Sequence, residues 1–287
     1  MKRGIEINFD KVRRPNKRTR LVEGKEVVDS SDSDSSDSDD DHAKQIKKQL
    51  AAHTGVQRQA DMFTASDPTA GQLFVFCGKS ERGKTHFLKW LLVDQIQREI
   101  NPIKTGIVFV KTKFKHSYDF VPDDKIFQGY DEEILTQYVT NLEALYEQQG
   151  YLDPSFLVFD DLLGVIDSTS HWFNNFMATY RHLNIHIFLA VQYLTGRRAV
   201  SPIMREQTTF ALMFNSKTNQ TIKHLYENFG QLFEKEKEFK KYYFDNTEPS
   251  KVGDYVCIAY KEREDRLEEN YTPMRAPKKI PKINLDY

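Results

Sequence analysis

The stretch from Gly78 to Thr85, "GKSERGKT", has the residue types and spacing of a phosphate-binding loop. It fits the pattern G-x-x-x-x-G-K-[ST], in which backbone N–H groups surround nucleotide phosphates and glycines let the backbone approach them closely. The pattern predicts that Lys84 reaches the β- and γ-phosphates and that Thr85 ligates Mg²⁺. A plain glycine turn is disfavoured because an apolar run precedes the loop and an amphipathic run follows it. The predicted nucleotide-binding residues are Gly78, Lys79, Ser80, Glu81, Arg82, Gly83, Lys84, Thr85 and His86.

Two adjacent carboxylates provide the second half of the predicted site. The apolar run "FLVFDD" ends in Asp160 and Asp161, about 75 residues after Thr85. Asp160 is predicted to hold the Mg²⁺ and Asp161 to polarise the attacking water, with a helix or turn cap as the alternative for each. Gln192 closes another apolar run, "FLAVQ", where its amide can hold the water and sense the γ-phosphate. The alternative for Gln192 is a surface turn.

An arginine is expected to complete the site, because charge builds up on the γ-phosphoryl oxygens in the transition state. The candidates are Arg181, the pair Arg197 and Arg198, and Arg205. Arg181 lies at the end of the predicted helix that leads into the fourth predicted strand, at a rim position. No role within its own subunit is evident for Arg181, so we expect it to act on a neighbouring subunit. The alternative is an arginine that stabilises the C-terminal end of a helix.

Continuous apolar runs are predicted to form the strands that position these residues. Amphipathic stretches lie between them: one from Lys84 to about Ile100, "DEEILTQYVTNLEALYEQQG", which ends on Gly150, and "HWFNNFMATYRHL". Such strands alternating with helices predict an α/β fold with a parallel sheet covered by helices on both faces. The five predicted strands are "LFVFC", "GIVFVKT", "SFLVFDD", "IHIFLAVQ" and "TTFALMFN".

The chain has strongly segregated charge behind a net charge of −1. Residues 1–20 carry eight Lys or Arg against two acidic residues, and residues 29–41 are all Asp or Ser. Such a composition cannot bury enough apolar surface to fold. We therefore predict a disordered arm over residues 1–60, a P-loop ATPase domain over 61–250, and a C-terminal extension over 251–287. Within that extension, the Pro-rich and basic residues 272–287 are predicted to form a strap or tail.

Composition also limits the classes of function. Two cysteines exclude a disulfide framework or a four-cysteine zinc site, and no apolar stretch reaches the length of a membrane span, so we expect an intracellular protein. Since the core is near neutral, a DNA-binding surface must be local. The loop "VKTKFKH", residues 110–116, is the candidate, with an ordinary exposed loop as the alternative.

With these motifs placed, the chain resembles viral genome-packaging ATPases of the FtsK–HerA superfamily, of the kind found in nucleocytoplasmic large DNA viruses, virophages and polinton-like elements. The resemblance covers about half the chain, from Leu73 to Asn215. It lies in "GKSERGKT", "GIVFVKTKFKHSYDFVP", "LVFDD", "YRHLNIHIFLAVQ" and "SPIMREQTTFALMF".

The resemblance implies a RecA-like fold with an extra strand between the two phosphate motifs. It also implies ATP and Mg²⁺ as cofactors and a homo-oligomeric ring, a hexamer or pentamer, that moves double-stranded DNA into a capsid. Carried over by position, Arg181 is the first choice for an arginine that acts on a neighbouring subunit, and Arg205 is the second. Capsid proteins are implied partners. The implied location is the host cytoplasm or nucleus where virus assembles, or the virion.

Two other functions remain open at this point. One is a small-molecule kinase, for which "TGRRAVSPIMR" would be an arginine-bearing lid. The other is a nucleotide switch that scaffolds virion assembly and binds basic partners through the acidic arm. A kinase would consume ATP only with a small acceptor, and a switch would bind nucleotide without DNA-stimulated hydrolysis.

Overall fold

The computed structural model describes Phe63 and residues 70–113, 118–162, 166, 170–194, 200–249, 255–261, 270–283 and 285. The predicted disordered arm, residues 1–60, lies outside these described residues. The described residues belong to one unit, residues 52–287.

One sheet of eight strands organises this unit, in the order β3-β2-β4-β5-β1-β6-β7-β8. The first six strands in the chain run parallel, whereas β7 is antiparallel to β6 and β8 is antiparallel to β7. The strands are β1 (Leu73–Cys77), β2 (Thr105–Val110), β3 (Ile126–Gln128), β4 (Ser155–Asp160), β5 (Ile185–Val191), β6 (Phe210–Phe214), β7 (Tyr255–Tyr260) and β8 (Tyr271–Ala276).

Helices cover both faces of the sheet, and local sequence signals set their ends. The helix α2 (Glu132–Gln149) is preceded by Asp131, whose carboxylate accepts from the N–H groups of Glu133 and Ile134, and it is followed by Gly150 in the left-handed conformation. Short 3-10 turns occupy Asp123–Lys125 and Tyr180–Leu183. The helices are α1 (Lys84–Ile96), α2 (Glu132–Gln149), α3 (His171–Thr179), α4 (Pro202–Glu206), α5 (Asn219–Phe229) and α6 (Glu236–Thr247).

The core consists of two apolar layers, one on each side of the sheet. In β1, Leu73, Val75 and Cys77 face the layer that includes α2, α3, α5 and α6, while Phe74 and Phe76 face the layer that includes α1. Every side chain of β1 is buried because both sheet faces are covered. This explains why the strands read as continuous apolar runs.

The predicted α/β fold is confirmed, and all five predicted strands are present. The strand β5 lies between β1 and β4, as the family resemblance implies. The carboxyl ends of these three strands therefore meet at one edge of the sheet, where the phosphate loop and Asp160 also lie.

Beyond residue 250 the structure differs from the prediction, because the predicted strap or tail, residues 272–287, begins within a strand. The chain first adds β7 and β8 to the sheet, so that Pro273 lies within the outermost strand on this side. Residues 277–283 then form what we call the strap, in which Ile280 and Ile283 pack on the apolar layer that contains α1. None of the described helices is both long and apolar enough to cross a membrane.

Candidate nucleotide-hydrolysis site

The predicted phosphate loop joins β1 to α1 through a turn that needs glycine. Gly83 lies in the left-handed region at φ +85°, and a Cβ atom there would come within 2.2 Å of the Tyr255 ring. As the N-cap of α1, Gly83 offers no side chain to the first N–H groups of the helix, and the first turn carries no acidic residue. These N–H groups are left for an anionic ligand, so the geometry suits a phosphate.

Lys84 is positioned to neutralise that phosphate. It is the first residue of α1, is 9% exposed, and its Nζ donates to the carbonyl oxygen of Lys79 at 3.1 Å. The ammonium therefore lies across the loop, within reach of a bound anion. Burial lowers the pKa of Lys84, while the nearby Asp161 and Asp160 act in the opposite direction and favour the charged form.

Thr85 and Asp160 form the predicted metal-binding pair. The hydroxyl of Thr85 donates to Oδ1 of Asp160 at 3.1 Å, although 75 residues separate them. The other carboxylate oxygen accepts from the buried hydroxyl of Tyr118 at 3.0 Å. Burial raises the pKa of Asp160, and the two hydrogen bonds partly offset this rise.

This pair has the chemistry that Mg²⁺ requires. Mg²⁺ prefers one or two carboxylate or hydroxyl oxygens together with water and substrate phosphates, and it does not need a full protein cage. A cation would also relieve the cost of keeping the Asp160 carboxylate charged while largely buried. Among the described residues, no three or more His, Cys, Asp or Glu side chains form a cluster that could hold a metal ion.

Asp161 and Gln192 are held together beside this pair. Asp161 adopts φ 57°, a conformation that Asp tolerates better than most residues. Its Oδ1 accepts a hydrogen bond from Nε2 of Gln192 at 2.9 Å, and its Oδ2 lies 3.9 Å from Nζ of Lys111. The predicted water-polarising acid and the predicted γ-phosphate sensor therefore form one hydrogen-bonded unit.

His86 lies between the phosphate loop and the strap. Its ring stacks on Tyr255 with centroids 4.0 Å apart, and its Nε2 is 2.7 Å from the carbonyl oxygen of Pro277. Because a carbonyl can only accept, Nε2 carries the proton in this contact.

Arg181 is placed away from the phosphate loop, at the end of the sheet where the parallel strands begin. One of its terminal nitrogens donates to the carbonyl oxygen of Gln207 at 2.9 Å and to Oγ1 of Thr209 at 3.4 Å, and its Nε donates to the hydroxyl of Tyr180 at 3.2 Å. The expectation that Arg181 lacks a role within its own subunit is therefore wrong. Its action on a neighbouring subunit stays a prediction.

Arg205, the second candidate, also binds backbone of its own chain. It lies in α4, and its NH1 donates to the carbonyl oxygens of Leu194 at 3.2 Å and Val200 at 2.6 Å. These contacts close the loop that follows Gln192. Arg197 and Arg198, within that loop, lie outside the described residues.

The predicted DNA-binding loop is described only over residues 110–113. Lys111 is exposed and lies near Asp161, and Lys113 donates to the carbonyl oxygen of Asp123 at 2.7 Å. The remainder of the loop, residues 114–116, lies outside the described residues. A role in DNA binding stays a prediction.

The sequence model of the family described as Poxvirus A32 protein matches residues 69–238, more than half of the chain. The chain belongs to this family. The predicted resemblance to viral packaging ATPases is thereby confirmed, and with the nucleotide site described above the chain is a P-loop ATPase. The matched range contains the phosphate loop, both aspartates and Gln192.

Individual proteins are also similar to this chain. "Uncharacterized protein 075L" of Invertebrate iridescent virus 6 is 25% identical over 191 residues, which are 66% of this chain and 69% of that protein. The genome packaging NTPase B204 of Sulfolobus turreted icosahedral virus 2, in complex with AMPPCP, overlaps 68% of this chain and 93% of its own at 12% identity, with a TM-score of 0.47. B204 of Sulfolobus turreted icosahedral virus, described as a DNA-packaging ATPase, gives 14% identity, coverages of 67% and 93%, and a TM-score of 0.45.

Some residues of the site are not evident from sequence motifs. Tyr118 holds Asp160 from the segment after β2, and Tyr255 covers Gly83 from β7. The segment that contains Tyr118 is part of the region resembling the packaging ATPases, but its tyrosine matches no general nucleotide motif. Only the folded chain shows that these side chains meet Asp160 and Gly83.

Proposed function

We propose that the protein is an ATP-driven translocase that moves double-stranded DNA into a preformed viral capsid. The observation that carries the proposal is the nucleotide site in a chain of the Poxvirus A32 protein family, with Asp161 bonded to Gln192 beside the pair Thr85 and Asp160. This arrangement contains the groups needed to bind a triphosphate and to activate a water.

Each group has a defined task in hydrolysis. The N–H groups at the start of α1 and the Lys84 ammonium bind the phosphates. Thr85 and Asp160 would hold Mg²⁺, which neutralises charge on the β- and γ-phosphate oxygens when it is bound. Asp161 accepts the proton of the attacking water, and the Gln192 amide orients that water through the bond it shares with Asp161.

The Asp161–Gln192 bond provides a route from the nucleotide to the rest of the molecule. Gln192 leads directly into the loop whose ends Arg205 holds at Leu194 and Val200. A change in the γ-phosphate that alters the Gln192 contact therefore shifts the residues that follow it, of which Tyr193 is exposed. In a ring, such a shift would change the contact with the next subunit and move the DNA-contacting loops.

A ring would also suit the near-neutral charge of the chain. Each Lys or Arg that contacts a phosphate adds to DNA affinity, so a few basic residues per subunit are enough once several subunits surround one duplex. A location at sites of virus assembly and docking to capsid proteins complete the proposal.

The test is the rate of ATP hydrolysis with and without long double-stranded DNA, on protein whose assembly size is measured with a non-hydrolysable ATP analogue. We expect DNA to increase the rate and the analogue to promote a ring-sized species, with Lys84→Ala inactive throughout. A monomer whose rate of ATP hydrolysis is the same with and without DNA would contradict the proposal of a translocase. Hydrolysis that requires a small acceptor would indicate a kinase, and tight binding with little hydrolysis a switch.

The arginine supplied by a neighbouring subunit needs its own test. Arg181 and Arg205 both bond to carbonyl groups within their own chain, so a finger role requires these bonds to be exchanged on assembly. Mixing Arg181→Ala subunits with Lys84→Ala subunits should restore part of the activity if Arg181 acts across the interface. If activity is not restored, the arginine that acts across the interface is Arg205 or another arginine.

A further inference from the structure

The two oxygens of the Asp160 carboxylate lie in different surroundings. Oδ1 accepts from the hydroxyl of the exposed Thr85 at 3.1 Å, whereas Oδ2 accepts at 3.0 Å from the hydroxyl of Tyr118, which is 1% exposed. We propose that Tyr118 determines which metal ion this site accepts. By occupying Oδ2 it leaves a cation a single carboxylate oxygen, which suits Mg²⁺ and disfavours Ca²⁺. The inference rests on the proposed function in that Thr85 and Asp160 hold the cation of a bound nucleotide.

The bond to Oδ2 is fixed in direction and costly to give up. Burial raises the pKa of Tyr118 above its already high ordinary value, about 10, so the hydroxyl keeps its proton and donates to the carboxylate. Since Tyr118 is buried, moving Oδ2 away would leave the hydroxyl without this acceptor. The Thr85 hydroxyl lies on the exposed side, where a cation or a water can replace Asp160 as its partner. Asp160 therefore has one oxygen that is held and one that is exchangeable.

Tyr118 is itself held in place by its neighbours. Its carbonyl oxygen accepts from the N–H of Val121 at 2.9 Å, and its ring packs edge-on against Phe120 with centroids 6.2 Å apart. On the other side, Nζ of Lys89 lies 5.8 Å from the centre of the Tyr118 ring. Lys89 follows Thr85 by one turn of α1, so these two side chains share a face of the helix. The hydroxyl is thus positioned both by the turn after β2 and by α1.

The two cations differ in what they require of a carboxylate. Ca²⁺ takes about six to eight oxygen ligands and often binds both oxygens of one carboxylate, whereas Mg²⁺ takes one or two carboxylates and keeps several waters. Ca²⁺ could bind both oxygens of Asp160 only by displacing Tyr118. The neighbouring carboxylate, Asp161, already accepts from Gln192 at 2.9 Å. The site therefore offers few carboxylate oxygens, which Mg²⁺ tolerates better than Ca²⁺.

The experiment measures the binding of ADP to the full chain by titration calorimetry, with saturating Mg²⁺, with saturating Ca²⁺ and with EDTA. Metal selectivity is the ratio of the ADP dissociation constant with Ca²⁺ to that with Mg²⁺. Tyr118→Phe keeps the ring and removes only the hydroxyl. We expect this ratio to fall by about tenfold, as is usual when a hydrogen bond that supports a metal ligand is removed, while ADP affinity in EDTA stays within about twofold of wild type.

Tyr271→Phe is the matched control. Tyr271 is also buried, and its hydroxyl donates to the carbonyl oxygen of Phe229, so it joins β8 to the end of α5 without contacting Thr85 or Asp160. Each variant loses one buried hydrogen bond, so the temperature of thermal unfolding should fall in both. Only Tyr118→Phe should change the selectivity ratio. A merely structural role for Tyr118 would lower the unfolding temperature and leave the ratio as it is in wild type.

The outcomes separate this inference from the proposed function. A wild-type ratio near one, or an unchanged ratio in Tyr118→Phe, would overturn the inference while ADP binding that depends on a metal ion leaves the proposed function intact. An equal fall in Tyr271→Phe would overturn it too, because the loss of any buried hydroxyl would then change the ratio. Wild-type ADP affinity that is the same with Mg²⁺ and with EDTA would contradict both the metal role of Thr85 and Asp160 and this inference. Failure of DNA to stimulate hydrolysis would count against the translocase and leave these binding results untouched.

Discussion

The two ends of the parallel strands use similar side chains for opposite purposes. Where the strands begin, Arg181 donates to Gln207 and Thr209, so its guanidinium joins the segment before β5 to the segment before β6. Where the strands end, Lys84 and Thr85 each donate one hydrogen bond that a ligand can replace. The side-chain bonds where the strands begin hold the fold together, whereas those where the strands end can be exchanged for bonds to a ligand.

This difference between the two ends shows how one sheet can hold the fold together at one edge and present a ligand site at the other. A cation bonded to backbone carbonyls costs free energy to release, since the carbonyls would lose their partners. A cation such as Lys84, which faces a loop whose N–H groups await an anion, gains partners when the ligand binds. An arginine or lysine near a nucleotide site should therefore be judged by its present partners as well as by its position.

Substitution of Asp161, at the carboxyl ends of the parallel strands, should have the largest effect on the rate of hydrolysis. Asp161→Asn removes the proton acceptor but leaves an oxygen that can still accept from Gln192, so hydrolysis should fall by about a hundredfold or more while ATP binding persists. Phosphate release at saturating ATP and calorimetry measure the two quantities. Asp153→Asn, a carboxylate paired with Lys104 before the strands begin, is the control and should leave hydrolysis unchanged. Near-normal hydrolysis in Asp161→Asn would refute the role.

Loss of the guanidinium at the other end should mainly affect stability. Arg181→Ala leaves the Gln207 carbonyl and the Thr209 hydroxyl without this donor and should lower the free energy of unfolding by about 1–3 kcal/mol. Chemical denaturation of the unassembled chain measures this change, and Arg181→Lys should recover part of it. Unchanged stability with a loss of hydrolysis only in assembled protein would instead favour the finger role.

Neutralising the Asp160 carboxylate should change stability and activity in opposite directions. Because burial raises the pKa of Asp160, the folded state binds more protons than the unfolded state between the ordinary carboxyl pKa and the raised one, and the free energy of unfolding falls as pH rises through that window. Asp160→Asn removes this loss and should raise the free energy of unfolding at pH 7, by on the order of 1 kcal/mol, while abolishing hydrolysis.

Denaturation of wild type and Asp160→Asn across that pH window checks the sign. The advantage of the variant should shrink as pH falls toward the ordinary carboxyl value, about 4. An advantage that grows on acidification would show that the carboxylate stabilises the fold, contrary to the burial argument.

The smallest effect should come from the ion pair at the margin of the site. Lys111 and Asp161 lie 3.9 Å apart with both side chains largely solvated, and such pairs contribute at most about 1 kcal/mol. Lys111→Ala should therefore leave thermal stability almost unchanged at moderate salt. A larger loss of thermal stability would mean that Lys111 stabilises the position of Asp161.

The sequence predicts those parts of the site that follow directly from strands. Asp160 and Gln192 each come after a continuous apolar run, and the carboxyl ends of parallel strands meet at one edge. Thr85 could be paired with Asp160 on that reasoning alone, and the 3.1 Å contact agrees with it.

The remainder depends on contacts without a local signal. Arg181 bonds to a backbone carbonyl, which every residue has, so no pattern marks Gln207 as its partner. Tyr255 reaches Gly83 from an antiparallel strand, and the next strand contains Pro273 and reads as an irregular segment. Such pairings are set by tertiary packing and become visible only when the sheet is assembled.

The two outermost strands among those described also limit how copies of this chain can associate. On one side β3 has three residues, and on the other Pro273 interrupts the row of N–H donors along β8. Neither strand offers the long, regular backbone edge on which another chain could add a strand. In the ring that we propose, copies would therefore meet through side-chain surfaces and would not share a sheet.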